Sequence, residues 1–181
     1  AFGACPIAHP LDWSPLMSVR REAALSSLAL LLAACAPSAS PDPAPIDRGA
    51  EQAAAEAVIG DLHRLASEGD FDPYFQLFTP DAVFMGTDAT ERWSVDEFRG
   101  YAAGSSGWTY RMTERHVFLD EDGRTAWFDE RLENDGFGET RGTGVLVKTA
   151  EGWKIAQYNL TIPVPNGLAR DLVSRIRGME G

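Results

Sequence analysis

GTGVLVKTAEGWKIAQYNLTIP, residues 142–163, is the stretch on which the fold turns. Two runs of alternating apolar residues flank Ala150-Glu151-Gly152, where the glycine suits a turn that needs positive φ. The pattern predicts a β-hairpin. On its second strand, strict alternation puts Trp153, Ile155, Gln157 and Asn159 on one face and Ala156, Tyr158, Leu160 and Ile162 on the other. Large apolar groups thus point both ways, which predicts that the outer face of the sheet also meets a partner; a back-to-back homodimer is the simplest one.

Upstream, ENDGFG and DEDG are further turn sequences. They divide the preceding chain into strand-like segments 108–119 and 124–132, ahead of the hairpin strands 139–149 and 153–162. Short loops between consecutive strands imply an antiparallel meander. Before residue 108 the texture is helical. Val58, Ile59, Leu62, Leu65 and Ala66 recur at i, i+3, i+4 spacing, and Gly69 fits the stop. Asp72-Pro73 reads as an N-cap followed by the first residue of a second helix. Ser94-Val95-Asp96-Glu97 is a capping box, with Trp93 and Phe98 placed to form a hydrophobic staple. Leu168, Leu172 and Ile176 predict a closing helix. Helices first and a meander afterward give an α+β domain with the helices on one face of the sheet.

The order helix, helix, short strand, helix, four-stranded meander resembles the NTF2-like superfamily. ASEGDFDPYFQLFTPDAVFMGTD (residues 66–88) is similar to the opening of its SnoaL-like branch, and residues 142–163 are similar to its last hairpin. The resemblance covers about residues 50–166. It implies a cone, with N-terminal helices packed on a strongly curved antiparallel sheet. It implies a pocket for a small molecule, and in the superfamily's enzymes an acid/base carboxylate at the cone floor. The ketosteroid isomerase pattern does not carry over: its aspartate would fall near Met85 or Gly86 and its tyrosine near Leu62 or His63. The histidine that relatives often carry would fall at Gln157 or Asn159, and amides bind and orient but do not transfer protons.

Three carboxylates are candidates for chemistry. Glu130 lies on the more apolar face of WFDERLE, residues 127–133, with Ala126, Phe128 and Leu132. Lining the cone, its pKa would be raised by desolvation, which suits a general acid or base. An ion pair with Arg141 on the neighbouring strand is the structural alternative. Asp88 and Glu91 leave the first strand together and either present carboxylates at the cone mouth or hold a turn. Trp93 is either an aromatic wall or only the staple. Phe128, Arg141, Gln157, Tyr158 and Asn159 complete the candidate ligand-binding set. A lyase, isomerase or cyclase would use Glu130, Glu91 or Asp88, with Asn159 and Tyr158 as hydrogen-bonding partners; a scaffold would fill its cone with side chains. His63 and His116 lack metal-ligand spacing, no phosphate loop or dinucleotide fingerprint occurs, and neither metal nor cofactor is expected.

The N-terminal part reads as an address. Arg20-Arg21, an apolar run and Leu32-Ala33-Ala34-Cys35 resemble a bacterial lipoprotein signal ending in a lipobox. The apolar run is too short to span a bilayer. The resemblance implies cleavage before Cys35, acylation of that cysteine, and display on the periplasmic side of the cell envelope. Residues 17–34 would be the signal, with Met17 as initiator; residues 1–16 read as upstream translation or a mis-set start, outside the native protein. Residues 35–49 would be the lipidated cysteine and a Pro/Ala/Ser-rich tether, and residues 50–181 the folded domain. A net charge of −11 with scattered basic residues speaks against nucleic acid. Palmitate is expected to label the protein in its host, and Cys35→Ala to abolish labelling and leave an unprocessed precursor; labelling that persists in the variant contradicts the assignment.

Overall fold

The computed structural model describes residues 45–179. The expected upstream segment, signal peptide and Cys35 lie outside the described residues. Helix α1, Arg48–Glu68, starts where the Asp47 side chain accepts from the Ala50 N–H at 3.1 Å. It stops at Gly69, whose φ of 68° is left-handed. A side chain there would collide with the Ser106 carbonyl, 2.9 Å from the Cβ position. Ala55, Ile59, Leu62, Leu65 and Ala66 form its buried stripe. Helix α2, Phe71–Gln76, begins two residues before the predicted start: Asp70 holds the N-cap position, and Asp72 sits in the first turn. Phe71 is drawn into the helix by packing, its ring centroid 5.1 Å from that of Trp108.

Strand β1, Phe78–Met85, and the short β2, Arg92–Ser94, lead into α3, Val95–Ala102. The Ser94–Glu97 capping box is complete, and the Trp93 and Phe98 rings stack at 5.8 Å. Then come β3, Arg111–Leu119; β4, Thr125–Asn134; β5, Gly138–Thr149; and β6, Gly152–Thr161. The six strands form one curved sheet in the order β2-β1-β6-β5-β4-β3. The meander is antiparallel as expected, but β1 runs parallel to β6, so the sheet is mixed. The parallel pair arises because the last strand returns beside the first after the long α3–meander crossover.

One irregularity in β6 decides what faces the core. Leu146 pairs with Ile155 and Val145 with Gln157, which leaves Ala156 as a bulge. The extra residue flips the alternation. Trp153 and Ile155 are buried before it, Tyr158 and Leu160 after it, all against the helices. Gln157 and Asn159 therefore lie on the outer face, contrary to the strict reading.

Inside, the α1 stripe packs over Val117, Ala126, Phe128, Leu132, Leu146 and Ile155. Tyr74, Phe75, Phe78 and Phe98 form an aromatic knot under α2 and α3. Glu51 clips α1 to the sheet by accepting from Trp153 Nε1 at 2.9 Å and pairing with Lys148. Helix α4, Ala169–Met179, buries none of its residues, so it does not close the core as predicted.

Gly144 marks the tightest inner spot on β5. A Cβ there would lie 2.5 Å from the Gln157 carbonyl and 2.6 Å from the Phe128 ring. Gly144→Ala is expected to lower stability by about 1–3 kcal/mol through overpacking. A thermal melt unchanged from the parent would contradict this packing.

Candidate functional site

The site begins with a charge in the core. Glu130 on β4 is 1% exposed. Its direct cross-strand neighbour on β3 is Arg115, which donates to Oε2 from Nε at 2.9 Å and approaches the same oxygen with Nη2 at 2.7 Å. From α1, His63 Nε2 meets Oε1 at 2.8 Å. From β6, the Tyr158 hydroxyl donates to Oε1 at 3.2 Å. Each element contributes a residue from its inward face. Gly142, opposite Glu130 on β5, leaves the space: a Cβ there would be 2.6 Å from both Glu130 Oε1 and the Tyr158 hydroxyl.

Burial, the largest single influence, pushes the Glu130 carboxyl upward, but the bonds and charges of His63 and Arg115 outweigh it and hold the pKa below its ordinary value. This reverses the expectation of a raised carboxyl. Burial, reinforced by the carboxylate, drives the Tyr158 phenol well up, so it stays a neutral donor. An ionised carboxylate only accepts, so His63 Nε2 carries the proton, and in the neutral ring Nδ1 is an acceptor. Glu130 is thus an orienter with both oxygens occupied. The residues it orients, His63 and Tyr158, also line open space.

That space has two parts. An inner void of about 20 Å³, room for about one water, is bounded by His63, Tyr158, Leu62 and Tyr74. Phe84, Trp108, Tyr110 and Leu160 line it too, and also line an outer cavity of about 260 Å³ at the cone mouth. The mouth adds Trp93, Phe98, Tyr101, Phe137, Asn134 and Glu91. Trp93 stacks on Tyr101 at 4.7 Å, making one wall. The lining is mostly aromatic, with polar atoms at the rim and the floor.

The sequence candidates separate accordingly. Glu130, Tyr158 and Phe128 meet in the floor, where the Phe128 and Tyr158 rings lie 6.1 Å apart. Trp93 and Glu91 stand at the mouth. Asp88 is exposed and holds the turn, accepting from the Thr90 N–H at 2.8 Å and its hydroxyl at 2.6 Å; Glu91 accepts from the Asp88 N–H in the same turn. Arg141 is exposed and faces Arg131 across the outer face, so it neither pairs with Glu130 nor reaches the cavity. Gln157 and Asn159 are turned outward by the bulge. His63 and Arg115 were missed, although Arg115 alternates with Val117 and Leu119 and precedes the same turn that Glu130 follows.

Helices on a curved mixed sheet with a cavity between them define an NTF2-like α+β domain. The chain belongs to the SnoaL-like domain family, whose model matches residues 55–165. No curated protein matches it. Among solved structures, a protein of unknown function from Pectobacterium atrosepticum is 18% identical, with a TM-score of 0.56 over 64% of this chain and 92% of that one. A Streptomyces avermitilis protein provisionally named a dehydratase of the NTF2-like family is 15% identical, with a TM-score of 0.55 over 65% and 99%. An NTF2-like protein from Pseudomonas putida is 11% identical, with a TM-score of 0.54 over 65% and 90%. At these identities the likeness is one of fold.

Glu130→Gln leaves Arg115 buried without its counter-charge and is expected to cost about 3–5 kcal/mol at pH 7. The pH dependence has a definite sign. Because the folded carboxyl lies below its unfolded pKa of about 4.3, its contribution is complete above that pH and is lost as pH falls through the lower folded value. Melts of parent and variant between pH 7 and 3 should therefore converge on the acid side; parallel curves would contradict the assignment.

Proposed function

We propose that the cone binds a small, partly apolar molecule, with its apolar body among the mouth aromatics and its polar end toward His63 and Tyr158. The observation that carries this reading is the 260 Å³, mostly aromatic cavity, which shares Phe84, Trp108, Tyr110 and Leu160 with the small void beside His63 and Tyr158. Sites for small molecules combine apolar walls with a few convergent polar groups. A cone filled by its own side chains, as in a scaffold, would lack that cavity. The volume suits a ligand of one or two rings.

A second reading has one specific support. The 2.8 Å His63–Glu130 contact fixes the ring and its tautomer, as a carboxylate does for a general base. In a lyase, isomerase or cyclase, His63 would move the proton through Nδ1, while Glu130, held by Arg115 and the Tyr158 hydroxyl, would stay ionised behind it. Asp88 is occupied by its turn, and Glu91, which accepts from the Asp88 N–H, is the one of the original three that lines the outer cavity.

The wider setting rests on sequence and surface. The Leu32-Ala33-Ala34-Cys35 motif supports an acyl-anchored protein facing the periplasm. Phe118 and Trp127, 47% and 46% exposed and stacked at 5.8 Å on the outer sheet face, support a homodimer through the sheets.

Native mass spectrometry of protein gently extracted from its host should reveal a bound small molecule, and adding that molecule should change the fluorescence of Trp93 and Trp108. Tyr101 is 62% exposed, so Tyr101→Ala should spare the melt while weakening binding about tenfold, equivalent to about 1.4 kcal/mol. Unchanged affinity would place the ligand outside the mouth.

A further inference from the structure

Helix α4 lies beyond the family-matched residues 55–165, and none of its residues is buried. At about 100° per residue, Leu168, Leu172, Val173, Ile176 and Met179 fall in one stripe roughly 140° wide. Their exposures run from 39% at Leu172 to 85% at Met179. Ile162 and Val164, just before the helix, extend the same apolar surface, and with Leu168 and Leu172 they border a shallow groove. An isolated helix of this length is marginal in water. The stripe calls for a covering surface.

Charge indicates which surface. Arg170 and Arg177 border one edge of the stripe and Arg175 the other, and Asp171 is the sole acid within the helix. The chain as a whole carries −11. Arg64, Arg111, Arg115 and Arg131 each hold a carboxylate, whereas the α4 arginines form no ion pair among the described residues. Arginines on both borders of an apolar stripe suit a helix lying flat in a bilayer interface. Their stems cover the apolar margin while the guanidinium groups reach lipid phosphates. A second copy of the chain would instead need carboxylates at fixed positions opposite three arginines.

We infer that α4, with Ile162 and Val164, docks onto an anionic lipid bilayer. The inference does not rest on acylation of Cys35, because the helix would bind through its own area and charge. The dock would hold the domain against the membrane rather than free above it.

The test uses the full chain with Cys5→Ser and Cys35→Ser, and an environment-sensitive fluorophore on a single new cysteine. Val173→Cys puts the probe in the stripe; Ser174→Cys puts it about 100° further round, on the polar face. With vesicles of phosphatidylglycerol and phosphatidylcholine, emission at position 173 should rise several-fold and shift to the blue, while position 174 changes little. High salt, pure phosphatidylcholine vesicles or an added Leu172→Asp should each remove most of the rise. A probe at position 173 that ignores anionic vesicles overturns the inference. So does an equal response at both positions, or a rise with protein concentration alone, which would assign the stripe to a second copy.

Discussion

A carboxylate sealed inside the sheet sets the terms for everything around it. Removing an ion from water costs several kcal/mol, and only close, well-aimed partners offset that cost. Glu130 receives Arg115 on one oxygen and His63 and Tyr158 on the other. Three strands and the first helix must therefore keep one mutual arrangement. The bulge at Ala156 turns Tyr158 inward, and the missing side chain at Gly142 lets its hydroxyl meet the carboxylate. The same bulge also brings Leu160 into the core.

This constraint also divides the cone. The floor is polar and held by its own hydrogen bonds, so its geometry is fixed before any ligand arrives, which is what orientation of a bound molecule requires. The mouth is aromatic and stands partly open between α3, β1 and the loop before β3. Its stacked rings offer apolar area with little side-chain entropy to lose. Adaptable contact above and rigid hydrogen bonding below suit a binding site, and would also serve proton transfer if His63 meets a suitable substrate.

Much of this was legible in the chain. The turn glycines, the α1 stripe and the Ser94–Glu97 box predicted elements that the structure contains, because each is a local signal. Glu130 stood out because a charge interrupted an apolar alternation. The faces of β6 were misread because a bulge shifts register by one residue without a marker of its own. Yet the composition held the clue: Trp153 and Ile155 pair naturally with Tyr158 and Leu160, and only a slip at Ala156 puts all four on one face. His63 was passed over because its partner lies 67 residues away, and nothing in helical spacing reports such a contact. Arg115 was closer to reach, since folding the β3–β4 hairpin about its turn sets it opposite Glu130. The closing helix was right as a helix and wrong as a lid: periodicity reveals an apolar stripe, not what covers it.

The central claim is that Glu130 is a held charge that orients its neighbours, rather than a protonated acid waiting in an apolar pocket. Carbon-13 NMR of the Glu130 side-chain carboxyl, followed through a pH titration of the folded protein, reads this directly. The account predicts that the carboxyl stays ionised from neutral pH down past the ordinary glutamate midpoint of about 4.3, with the fold beginning to fail as it finally protonates. A midpoint raised well above that value in the intact fold would contradict it.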